Sequence, residues 1–136
     1  VSLPTRRSWV QVPLPAPNLK NMEEDLSKKK CIPCEGNIPA FDYSEIHKYL
    51  KKVDGWDVNK NENDGYFLIK EFKFKDFKES QVFVNKVGDL SEIENHHPDI
   101  IFGWGYAKVK IFTHAINGLA ESDFILASKI DKIIND

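Results

Sequence analysis

Cysteine is scarce in this 136-residue chain, with two residues, and methionine scarcer still, with one. Cys31 and Cys34 cannot build the disulfide framework of a small secreted domain, and Cys31-Ile-Pro-Cys34 closes too short a loop for an easy structural bridge. A reduced, intracellular setting is expected, with the cytoplasm as the compartment. No apolar run approaches the roughly 18 residues that a membrane-spanning helix needs, which excludes that kind of span. An excess of positive charge is missing too. Nineteen basic against 21 acidic side chains leave −2, so nothing draws the chain toward nucleic acid or anionic lipid. What remains is an ordinary globular composition, 41% hydrophobic and 29% charged, at a length suited to one domain.

The first 21 residues differ from the rest. They hold four of the seven prolines, both arginines and Lys20, and no acid; the one methionine follows at Met22. Val1–Asn21 therefore reads as a vector-derived or disordered leader, with residues 22–136 as a single domain. Its "PLPAPNL" stretch lacks the amphipathicity of a transit peptide. Without the leader, 16 basic face 21 acidic side chains, a net −5. No internal repeat is visible, and no low-complexity tract beyond the leader.

Periodicity divides the remainder into alternating helices and hairpins. After a Pro- and Gly-interrupted loop through "CIPCEGNIPAF", a helix is expected from Tyr43 to Lys52, capped by Ser44, with Ile46, Tyr49, Leu50 and Val53 on one side. "DGWDV" and "YFLIKEFKF" flank an Asp64-Gly65 turn, and Phe67, Ile69, Phe72 and Phe74 alternate if Glu71 sits at a bulge. A longer helix, Phe77 to Glu94, lines up Phe83, Val87 and Leu90, and Pro98 forbids its continuation. "DIIFGW" and "AKVKIFTH" form a second hairpin about Gly105, with "AKVKIF" as the expected exposed edge. A last helix, Glu121 to Ile134, buries Leu126, Ile130 and Ile133, with Ser122 as a cap in place of Ala120. The order α-β-β-α-β-β-α predicts an α+β domain: a four-stranded antiparallel sheet with three helices on one face.

The unusual feature is "EIENHHPD". His96 and His97 stand side by side at the helix-to-strand junction, and His114 follows at the end of the last strand; His47 lies on the first helix as a surface residue. Imidazole populates both protonation states near neutrality, so several around one pocket can donate a proton at one atom and accept one at another. That equips a cofactor-free proton-transfer catalyst. Two other readings stand beside it. The histidines can be incidental, and imidazole is also a common metal ligand, although a lone Cys-x-x-Cys is half a zinc site and no His-x-x-x-His pair is present. Asp123, in the first turn of the last helix, is equally explained by the helix dipole.

The spacing Glu92, three residues, His96-His97-Pro98, five residues, Trp104, nine residues, His114, eight residues, Asp123 resembles the signature of the pterin-4a-carbinolamine dehydratases. "GLAESDFILASKID", "VKIFTHAINGL", "VDGWDV" and "FKFKDFKESQVFVNKVGDLSE" extend the likeness over about residues 28–134, in the form seen in plants and some protists. The resemblance implies dehydration of 4a-hydroxytetrahydropterin to quinonoid dihydropterin, without a cofactor or metal, in a homodimer or homotetramer. It makes His96, His97 and His114 the catalytic imidazoles. Asn95, Phe112, Thr113 and Ala115 line the pterin pocket with them, and Glu92, Pro98, Trp104 and Asp123 support it, Trp104 as a stacking wall or a purely structural residue. Animal members carry an aspartate before the histidine pair and a glutamate after the third; here these are Asn95 and Ala115. Those members also bind a transcription factor's dimerisation helix, so the alternative implied is a non-catalytic oligomeric scaffold.

Overall fold

The computed structural model describes residues 25–31 and 38–135. The leader expectation, Met22 and Cys34 lie outside these residues. Among them, three helices and four strands follow in the order α1 (Tyr43–Leu50), β1 (Asp57–Lys60), β2 (Tyr66–Lys73), α2 (Phe77–Glu94), β3 (Asp99–Gly103), β4 (Tyr106–Ile111) and α3 (Glu121–Asn135). No helix of the described residues is long and apolar enough to cross a membrane.

Side chains at the helix starts set the entry points. The carboxylate of Asp42 accepts the Glu45 amide at 2.9 Å and that of Asp76 accepts the Glu79 amide at 2.9 Å. Asp42 thus caps α1 in place of Ser44, because its oxygen reaches an amide three residues on. At α3 the predicted cap is also displaced: Ser122 lies within the first turn, and Asp123 reaches back to accept the Ala120 amide at 2.8 Å.

The sheet order is β1-β2-β4-β3, antiparallel throughout. This places "AKVKIF" in the interior, flanked by β2 and β3, so the expectation of an exposed edge there is corrected: the edges are β1 and β3. Ala107, Val109 and Ile111 of β4 and Leu68 and Phe72 of β2 turn one face toward the helices. There they meet Ile46, Phe83, Val87, Phe124, Leu126 and Ile130, all buried. Lys108 and Lys110 project to the uncovered face, as alternation requires.

The bulge expected at Glu71 is absent. Register runs unbroken from Leu68↔Ile111 to Lys73↔Tyr106, so the inward set is Leu68, Lys70 and Phe72, while Phe67 and Ile69 face outward. Lys70 hides this pattern. Its ammonium pairs with Asp131 of α3 at 2.7 Å and lies 4.9 Å from the centre of the Phe72 ring, and Asp131 also accepts the Trp56 indole N–H at 3.1 Å. A charge can face the core only when it is paired in this way.

A second buried cluster joins the ends of α2 and α3. Glu94 pairs with Lys129 at 2.6 Å and accepts the backbone N–H of Cys31 at 3.0 Å. Burial opposes ionisation of Glu94, but the hydrogen bonds from Lys129 and Cys31 and the nearby lysine charges outweigh it and hold its pKa below the ordinary 4.5. The Cys31 thiol is pushed up to about 12, first by burial and then by the Glu94 carboxylate. Such a thiol stays protonated and unreactive.

Candidate active site

The corner after α2 begins at Asn95, which takes a left-handed conformation (φ 54°) while the His96 amide donates to Ser91 O at 3.1 Å. Asparagine tolerates this geometry better than most residues, a local reason for its presence here. The reversal sends the adjacent imidazoles in different directions. His96 turns inward with its side chain 15% exposed, its Nε2 2.7 Å from Asp123 Oδ1. His97 turns outward at 54%, its Nε2 2.5 Å from Glu92 Oε2.

The other wall is the segment after β4. Thr113 and Gly118 bridge across a tight loop, pinching His114–Ile116 into a single 3-10 turn that ends at Asn117, also left-handed (φ 49°). His114 starts that turn, exposed, with its ring against Phe112 at 4.2 Å between centres. Register brings the two segments together, since the pair Asp99↔Lys110 puts His97-Pro98 beside the chain that leads from Ile111 to Thr113.

Between them lies an open cleft of about 380 Å3, lined by Asn95, His96, His97, Pro98, Asp99, Phe112, Thr113, His114 and Ala115. The structure thus brings together the three imidazoles and the four residues expected to line a pocket with them. Asp99 is the addition that sequence reasoning missed; its position directly after Pro98 was the available signal. Trp104 is not part of this cleft. It sits 70% exposed at the β3–β4 turn, roughly 15 Å of strand away from the histidines, so it forms no stacking wall within the chain.

Asp123 stands behind the cleft with no exposed surface. Oδ2 accepts Thr113 Oγ1 and the Ala120 amide, each at 2.8 Å, and Oδ1 faces His96. A carboxylate receiving donors in this way makes Nε2 of His96 the donating nitrogen, which leaves Nδ1 as an acceptor. The site therefore combines a half-buried, oriented imidazole, an exposed imidazole with an exposed carboxylate, and a third imidazole packed on an aromatic ring. Proton transfer at two points of one bound molecule is within its reach.

The sequence profile of Pterin 4 alpha carbinolamine dehydratase matches residues 39–133. A Rubrobacter xylanophilus protein, provisionally named pterin-4-alpha-carbinolamine dehydratase, is 44% identical over 109 residues, or 80% of this chain and 98% of that protein. One of the same provisional name from Rickettsia bellii is 49% identical over 111 residues, 81% of this chain and 95% of that one. Among solved structures, a transcriptional coactivator/pterin dehydratase from Brucella melitensis superimposes with a TM-score of 0.61 at 30% identity, covering 69% of this chain and 97% of that one. A pterin dehydratase-like protein identified as a RuBisCO assembly factor in the alpha-carboxysome shares the fold, with a TM-score of 0.50 at 22% identity over 58% of this chain and 88% of that one.

Proposed function

Because the chain belongs to the pterin 4 alpha carbinolamine dehydratase family, we propose that it removes water from 4a-hydroxytetrahydropterin by histidine acid–base catalysis, in the recycling of tetrahydrobiopterin. Hydroxide is a poor leaving group, so a proton must reach the 4a oxygen as the C4a–O bond breaks. The product's N5–C4a double bond forms from the N5 electron pair, and the N5 proton must go elsewhere. His114 is assigned as the acid and Nδ1 of His96 as the base. Water leaves with the proton from His114, His96 becomes an imidazolium, and solvent restores both.

One observation carries this reading: a buried carboxylate, Asp123, orients a cleft-lining imidazole, and His114 lines the same 380 Å3 space. Asp123 fixes the His96 tautomer and steadies its cationic form, the service an aspartate renders to histidine in catalytic triads. His97, held by Glu92 at the mouth, is the third imidazole that touches the substrate. Each acid or base typically contributes about 10²–10⁴-fold.

Turnover of synthetic 4a-carbinolamine by the purified chain tests the proposal. Release of quinonoid dihydropterin well above the uncatalysed rate is expected. A folded but inactive chain would favour the second reading, a non-catalytic oligomeric scaffold. What favours that reading is the β3 edge, unpaired among the described residues, where Ile101 is 64% exposed, together with the likeness to the transcriptional coactivator/pterin dehydratase from Brucella melitensis. A homodimer or homotetramer is proposed under either reading, since such an edge invites strand pairing.

A further inference from the structure

We propose that a second cavity beside His114 receives the substituent on C6 of the pterin, and that beyond the short side chain of biopterin it accepts an aromatic tail ending in a carboxylate. The inference rests on the pterin reading above. The cavity, about 920 Å3, shares Phe112 and His114 with the catalytic cleft and extends beneath the β1–β2 turn. A flat bicyclic ring held by three imidazoles leaves this space empty; a long substituent fills it. Pockets for small molecules run from about 300 to 1,000 Å3, so the cleft alone sits at the lower end of that range.

The chemistry of the floor narrows the class. Phe67, on the uncovered face of β2, and Phe112, just past the end of β4, both line the cavity and offer ring surface to an aryl group. Lys110 holds its ammonium 4.3 Å from the centre of the Phe67 ring and 5.5 Å from that of Phe112. The ion pairs among the described residues engage other lysines or His96 and His97, so no carboxylate of those residues satisfies Lys110. Asp99 is its partner in register, yet the ammonium leans the other way, toward β2. Glu62 is the acid that faces this space from the turn; Lys60, at its edge, is drawn over the Tyr66 ring at 5.1 Å. An anionic group docked on Lys110 gains a charge partner that the protein does not itself supply.

The wall is preformed. Asn61 Nδ2 donates to Asn117 Oδ1 at 3.1 Å, and Asn117 Nδ2 donates to Asn63 O at 3.1 Å. Gly65 lies so close that a Cβ there would stand 2.3 Å from Asn117 O. These contacts tie the hairpin turn to the loop bearing His114, so cavity and cleft are held in one frame, which lowers the ordering cost of binding.

The test is a fluorescence titration with two stable oxidised ligands, 6-methylpterin and pteroylglutamate. Wild type is expected to bind pteroylglutamate about tenfold more tightly, one charge-assisted contact plus ring stacking. Lys110→Gln should shrink that ratio, Glu62→Gln should widen it, and added salt should reduce it. Lys108→Gln, on the same face of β4 but outside both cavities, should leave it unchanged, with melting temperatures reporting on folding. Equal affinities in wild type, or a ratio unmoved by Lys110→Gln, overturn the inference alone. If 6-methylpterin also fails to bind, the pterin reading falls and takes this one with it.

Discussion

Two buried carboxylates, Glu94 and Asp123, lie near opposite sides of the same corner and have opposite fates. Glu94 holds Lys129 on one oxygen and the Cys31 amide on the other, so none of its partners is an imidazole and none lines the histidine cleft. Asp123 is equally buried, but one of its partners is the His96 ring, which lines the cleft. A closed polar network serves stability, because removing any member strands a charge in the interior. A network with one end free transmits orientation to solvent-facing chemistry. The histidine pair repeats the lesson on adjacent residues: His96 is anchored from within, His97 from an exposed glutamate.

If the open network is the catalytic one, Asp123→Asn should have the largest effect. It is expected to lower kcat by about 10²–10⁴-fold while the chain stays folded, since the amide no longer dictates the His96 tautomer. Steady-state turnover beside circular dichroism would check both halves. The closed network should behave in the reverse sense. Lys129→Ala is expected to cost about 3–5 kcal/mol in urea unfolding, with turnover per folded molecule retained. A large kcat loss there would erase the distinction.

Acid sharpens the same contrast. The pKa of Glu94 is lowered in the folded state, so its stabilising contribution is fully present above the ordinary 4.5 and is lost as pH falls through the folded value. Glu94→Gln should therefore flatten the acid limb of a stability profile measured by denaturant midpoint. Cys31 offers a chemical check: with its thiol pushed up to about 12, alkylation of Cys31 itself at about pH 8, read by peptide mapping, should be negligible in the native chain and rapid after unfolding. The smallest effect is expected at the exposed pair. Glu92→Gln should alter stability by less than about 1 kcal/mol, as surface ion pairs do.

Much of this was legible from residue order, for reasons that differ by element. The span of α2, Phe77–Glu94, follows from apolar spacing and from Pro98 beyond it, both local signals. The histidine spacing is likewise a linear pattern, and the fold brings its three imidazoles to one cleft. What escaped depends on partners distant in the chain. Lys70 looks like a solvent residue until Asp131 is seen across the core, and that mistake produced the false bulge at Glu71. Strand order is a tertiary choice, so nothing local told β4 from an edge. Trp104 fell away because spacing along a hairpin does not say which end carries the site. Gly65 and Asn117 reveal their link only when the two turns meet.

The most direct measurement is the rate of dehydration of synthetic 4a-carbinolamine by His96→Ala and His114→Ala, each against wild type under single-turnover conditions. Both variants should lose about 10²–10⁴-fold with the fold intact. Rates within about threefold of wild type at either position would contradict the assignment of an imidazole acid and an imidazole base to this cleft.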